Sequence, residues 1–214
     1  MRKALVVWGG WQGHEPEQCA HIVADLLRED GFAVEVTGDL GIFGSPALAK
    51  ADLLVPIITG EKLEKEHALG LVEAVRGGLG LAGHHGALAT SFKESAPFRY
   101  VSGVTWVAHP GNIIDFRVAV TRQDDPVMEG IPDFDYRSEQ YYLHFDPTVE
   151  ILATTTFTGA YDPAARNVVM PVVFKRHFGA GRIFYSALGH VAAEFDHPYM
   201  PLMLRRGLSW AARR

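Results

Sequence analysis

Cysteine is nearly absent: Cys19 is the only one in 214 residues. That excludes an internal disulfide framework and fits a reducing compartment. The chain also has no run of about 18 uncharged apolar residues, so no membrane span is expected. Its start, MRKALVVWGGWQGHE, sets basic residues before an apolar run, as a secretory signal does. The run is too short, however, and no small-residue cleavage region follows. A cytoplasmic location is therefore expected. Basic charge is not in excess, with 20 Lys and Arg against 25 Asp and Glu. No basic stripe interleaves with aromatics, which argues against nucleic-acid partners. Internal repeats, low-complexity tracts and Ser/Gly linkers are missing too. Residues 1–214 read as a single domain.

What is present is apolar periodicity. The composition is 48% hydrophobic, enough for a sizeable core. Lys3–Trp8 (KALVVW) reads as a first strand ending at Gly9-Gly10, and Glu17–Glu29 as an amphipathic helix stopped by Gly31. Phe32–Thr37 alternates as a second strand. Asp52–Thr59 (DLLVPIIT) is the near-continuous apolar run of a strand covered on both faces. Leu63–Arg76 reads as a helix and Gly78–Ala82 as the next strand. Ile113–Val120, Ile151–Thr156, Val168–Lys175 and Arg182–Leu188 supply further strands, and Tyr199–Ala212 a closing helix. Asp124–Pro147, rich in Asp, Pro and aromatics, reads as a long functional or interface loop. Its Phe134, Tyr136, Tyr141, Tyr142 and Phe145 suit either self-association into a homo-oligomer or cover for the core or cleft. Strands alternating with helices predict right-handed βαβ crossovers and a mostly parallel sheet.

In such sheets ligands bind beyond the carboxyl ends of the strands. Three strand ends here deliver histidine to that edge. GGWQGH ends in His14, GHHG carries His84 and His85, and Gly189-His190 follows RIFYSAL, with Glu194 soon after. Gly9-Gly10 and Gly13 lack the Lys-Ser/Thr of a phosphate loop and the spacing of a dinucleotide fingerprint.

Taken in order, VVWGGWQGHE, GLGLAGHHGA, VAHPGN, SEQYYL and GRIFYSALGH resemble the ThuA-like, or trehalose-utilisation, family of the class I glutamine-amidotransferase-like superfamily. The resemblance runs from about Val6 to Trp210. It implies a flavodoxin-like three-layer α/β/α sandwich, a cleft built from these loops, and a role in carbohydrate metabolism. The superfamily's glutaminases carry a cysteine nucleophile at a sharp strand-to-helix elbow and a histidine after a late strand. Setting Gly86 on the closing glycine of that elbow puts His84 at the nucleophile position, and His190 takes the place of the late histidine. Cys19 lies in the first helix. A neutral imidazole is no substitute for the thiolate, so glutamine amidotransfer is not expected.

The resulting expectation is a sugar-processing hydrolase, lyase or isomerase acting on trehalose or a related disaccharide or keto-sugar. His84, His190 and Glu139 are the acid/base candidates, with Glu139 orienting a histidine. His14, His85, Trp106, His109, Gln140 and Tyr142 are the candidate substrate contacts, Trp106 offering a ring for a sugar face. His144, His177 and His197 read as structural or surface residues. Two rival expectations stand beside this one. The first is a non-catalytic sugar-binding or regulatory scaffold. The second is a metal-dependent hydrolase drawing ligands from His14, His84, His109, His190 and Glu139. No HExxH, CxxC or His-x-His signature supports the metal, so no cofactor is the default.

Overall fold

The computed structural model describes residues 1–213. Its first half alternates strands and helices: β1 (Lys3–Gly10), α1 (Pro16–Glu29), β2 (Ala33–Thr37), α2 (Ala47–Lys50), β3 (Leu53–Thr59), α3 (Lys65–Arg76) and β4 (Gly80–His84). The single turn α4 (Gly86–Ala89), α5 (Ala96–Ser102) and β5 (Val104–Ala108) follow. The second half is a run of strands: β6 (Ile113–Val120), β7 (Phe134–Glu139), β8 (Tyr142–Phe145), β9 (Glu150–Thr156), β10 (Val169–Phe178) and β11 (Gly181–Ser186). Helix α6 (Met200–Ala211) closes the chain.

Nine strands form one sheet in the order β2-β1-β3-β4-β11-β10-β9-β6-β7, and β5 pairs with β8 in a separate ribbon. From β2 to β11 every neighbour pair is parallel. From β11 to β7 every pair is antiparallel. The expected mostly parallel sheet is thus corrected to a mixed one, parallel in half of its pairings. The reason is local. Crossover helices stop after β4, and later strands are joined by hairpins. Gly179-Ala180 links β10 to β11, with Gly179 at φ 61°, the left-handed conformation that a two-residue hairpin turn demands.

A second correction concerns Asp124–Pro147, which is not one long loop. It contains β7 and β8, and β7 alternates buried Phe134, Tyr136 and Ser138 with exposed Asp135 and Arg137. Phe134, Tyr136 and Tyr141 are core residues rather than an exposed patch.

The helices follow from their apolar stripes. Helix α1 has Pro16 in its first turn and buries Cys19, Ala20, Val23, Ala24 and Leu27. Helix α3 buries Ala68, Leu71, Val72 and Val75. Because β2 lies on one side of β1 and β4 on the other side of β3, right-handed crossovers put α1 and α3 on opposite faces. Helix α6 packs with α1, and α5 with α3, completing three layers over the parallel half. No described helix is long and apolar enough to cross a membrane.

At Gly207 in α6 an added Cβ would lie 2.2 Å from the Phe184 ring, which is fully buried. Gly207→Ala is expected to destabilise the fold by about 2 kcal/mol, since overpacking outweighs the gain in helix propensity. A urea titration measures it, and an unchanged midpoint would refute the close approach.

Candidate active site at the carboxyl edge of the parallel strands

The chain leaves β1 to one side for β2 and returns to the other for β3, so the switch point lies between the ends of β1 and β3. Gly10 makes this corner possible. It sits at φ 81°, and a Cβ there would fall 2.0 Å from the Thr59 carbonyl oxygen. The following turn delivers His14, whose Nδ1 lies 2.6 Å from Thr59 Oγ1 at the end of β3.

The residue after β4 is His85, at φ 49° and ψ −120°. This is the strained geometry of a nucleophile elbow, found here on a residue with a Cβ. The elbow is held on both sides. The His85 N–H donates to the Ser186 carbonyl at 2.7 Å, and the His85 carbonyl accepts from the Tyr185 hydroxyl at 2.8 Å. The expected register is therefore corrected by one residue: His85, not His84, takes the elbow position.

His84, the last residue of β4, is not part of the cluster around Glu139, though it lines a small cavity beside His14, His85 and His190. Its ring is buried edge-on against Phe195 at 5.4 Å, and its Nδ1 has no hydrogen-bond partner. Burial, aided by His85, lowers its pKa from 6.5 to about 3. Its place is in the packing beneath the elbow.

His190 follows β11 through Gly189, at φ 99°. Glu194 Oε2 fixes this loop, accepting from the Gly189 and His190 N–H groups at 3.0 and 2.9 Å and from the Tyr136 hydroxyl at 2.7 Å. Glu139 arrives from the other half of the sheet, at the end of β7. The four side chains His14, His85, Glu139 and His190 place one nitrogen or oxygen each within 4.8 Å of one another. Around His85 Nε2 lie the Tyr141 hydroxyl at 2.8 Å, His190 Nδ1 at 3.1 Å and Glu139 Oε2 at 3.2 Å. The other Glu139 oxygen faces His109 Nε2 at 3.6 Å.

Burial works against the charged forms of His14 and His190, while the surrounding imidazoles favour the ionised form of Glu139. Burial, reinforced by His85 and His190, lowers the His14 pKa to about 3. Burial and then His85 lower that of His190. Burial pushes the Glu139 carboxyl up, but its hydrogen bond and attraction to His85, with His109 and His190 behind, win and hold it at about 2. Burial first, then Tyr185 and Glu139, raises the Tyr141 phenol.

Above this floor opens a cleft of about 310 Å³, walled by Trp11, Trp106, His109 and Tyr141 and edged by Lys93 and Asn112. Trp11 is 56% exposed at the mouth, and the Lys93 ammonium sits 4.7 Å over the Trp106 ring. His14, Trp106, His109 and Glu139 line this cleft, while His84, His85 and His190 line an adjoining small cavity that shares His14 with it. Two expected contacts lie outside both. Gln140 is buried, donating to Thr155 Oγ1 at 2.7 Å and so tying the β7–β8 corner to β9. Tyr142 packs on Phe157 instead. Thr59, Tyr141, Trp11 and Lys93 were missed. Thr59 was within reach of the strand-end rule, since it terminates a central parallel strand. Tyr141 rather than Tyr142 depends on the β7–β8 corner, which the sequence does not announce.

The profile of the ThuA family, described as trehalose utilisation, matches residues 3–211. No curated protein sequence matches. Among solved structures, a ThuA-like protein from Bacteroides uniformis ATCC 8492 superposes with a TM-score of 0.79 at 19% identity, covering 98% of this chain and 91% of that one. A ThuA-like protein from Parabacteroides merdae ATCC 43184 gives 0.77 at 20% identity, over 98% and 89%. A β-galactosidase from Bacillus circulans sp. alkalophilus gives 0.62 at 15% identity, over 99% of this chain but 31% of that one. At these identities the likeness is one of fold.

Proposed function

The chain belongs to the ThuA (trehalose-utilisation) family, and from that premise we propose that it is an enzyme of carbohydrate metabolism. It takes a disaccharide or keto-sugar derivative into the cleft and moves a proton at a carbon or oxygen held over the His14–His85–Glu139–His190 floor. The observation that carries this reading is the convergence of those four groups within 4.8 Å of one another, two of which, His14 and Glu139, also line an aromatic-walled cleft. Trp11 and Trp106 present faces suited to a sugar ring, while Lys93 and Asn112 offer polar contacts to hydroxyls. His109 is the histidine of this group with the most exposed side chain, 27%, and it stands beside Glu139 Oε1. That exposure and contact support His109 as the proton acceptor or donor, with Glu139 orienting it. A hydrolysis, an elimination and an isomerisation all begin with such a transfer. Amidotransfer through a thiolate is not supported, because Cys19 is buried in α1.

The test is a thermal-shift screen of disaccharides and their keto derivatives, followed by product analysis of each hit. A ligand at about 100 times its Kd should stabilise the fold by about 2.7 kcal/mol. His109→Ala should then lower kcat by about 10²- to 10⁴-fold with KM little changed. A sugar that binds but is never converted would show a binding scaffold rather than an enzyme.

A further inference from the structure

We propose that His14, His85, Glu139 and His190 form a binding site for one divalent transition-metal ion. The inference rests on reading this cluster as the reaction centre, and it adds the group that holds the substrate's oxygens there. Its first support is spacing. Nitrogen and oxygen ligands about 2.0–2.2 Å from a tetrahedral ion lie roughly 3.3–3.6 Å apart. The three edges of the His85 Nε2, His190 Nδ1 and Glu139 Oε2 triangle are 3.1, 3.2 and 3.6 Å. His14 supplies a fourth donor from the β1 side, within 4.8 Å of the rest.

The second support is tautomer control. His85 Nδ1 lies 3.1 Å from the Ala187 carbonyl oxygen, which only accepts, so Nδ1 carries the proton. In the neutral ring the Nε2 lone pair then points into the cluster. His14 is oriented by the contact of its Nδ1 with the Thr59 hydroxyl, a group that both donates and accepts. A partner on the far nitrogen is how proteins orient histidine ligands.

The third is the crowding of electron-rich atoms. With Nδ1 turned to the Ala187 carbonyl, the His85 Nε2 faces Glu139 Oε2 at 3.2 Å and His190 Nδ1 at 3.1 Å, and the Tyr141 hydroxyl at 2.8 Å has one proton to give among them. One cation serves the whole cluster. Three imidazoles and one carboxylate suit zinc, iron, nickel or copper better than magnesium, calcium or manganese. The cleft lies over this floor, where hydroxyl or carbonyl oxygens of a sugar derivative reach the ion beside His109.

Metal binding is measured without any sugar. The full-length protein is stripped with chelator, dialysed, and titrated with Zn²⁺ and with Co²⁺, reading metal content by mass spectrometry and the visible Co²⁺ bands. One ion per chain is expected. His190→Ala and Glu139→Gln should each weaken binding by more than about 100-fold, and Thr59→Val by about tenfold, as for loss of a ligand's hydrogen-bond partner. His84→Leu should bind as the wild type does. A folded wild type that takes up no ion, or a His190→Ala protein that binds it undiminished, overturns the site. Full sugar turnover by metal-free protein would overturn the metal and leave the enzyme reading intact. Stoichiometric metal with no sugar converted would do the reverse.

Discussion

His85→Ala is expected to abolish turnover of the sugar substrate, by about 10²-fold or more, whereas His84→Leu, one residue earlier, leaves kcat and KM near wild type. The two imidazoles meet different groups. His85 Nε2 meets Glu139, Tyr141 and His190, while His84 meets Phe195 and no polar partner. A third variant separates chemistry from backbone. At φ 49° and ψ −120° a side chain is strained and glycine is not. His85→Gly should therefore be more stable than His85→Ala by about 1–3 kcal/mol, though equally inactive. Steady-state kinetics and urea denaturation on the four proteins decide it. An inactive, folded His84→Leu beside an active His85→Ala would return the elbow to His84 and break this account of the site.

That one-residue error marks the limit of what the sequence yields. Runs such as DLLVPIIT and the stripe Cys19, Val23, Leu27 carry their burial openly, so the parallel strands and the three long helices were legible. So was the edge at which His14, His190 and the GHHG turn converge, because strand ends in an α/β sheet all point one way. Which of two adjacent histidines faces the cleft is a matter of a single dihedral, and GHHG reads alike in either register. The antiparallel half was hidden differently. In β7 the period-2 pattern Phe134, Tyr136, Ser138 has Ser at one inward position and is flanked by Asp and Pro, so it passes for a loop. Glu139 could be singled out as a carboxylate. Its partner Tyr141 could not, since it depends on a corner tied down by Gln140 to Thr155.

Acid sensitivity is expected from the buried imidazoles, and His84 is where it can be isolated. Its folded pKa of about 3 lies below the ordinary 6.5, so between those values the unfolded chain binds a proton that the folded chain does not. Stability is therefore lost as pH falls through that window. From pH 6.5 to pH 4 this fully buried group alone should remove about 3 kcal/mol, at 1.36 kcal/mol per unit. That is a large share of the roughly 5–15 kcal/mol typical of a domain. His14 and His190 act in the same direction. Glu139, held at about 2, adds its own loss below about pH 4.5. Leucine at position 84 cannot titrate, and it removes the unpartnered Nδ1. His84→Leu should match or exceed the wild type at pH 7 and lose about 3 kcal/mol less on going to pH 4. Urea midpoints across that range provide the comparison. Parallel stability curves for the two proteins would mean that His84 is protonated in the folded state, and that the packing beneath the elbow holds a charge rather than a neutral ring.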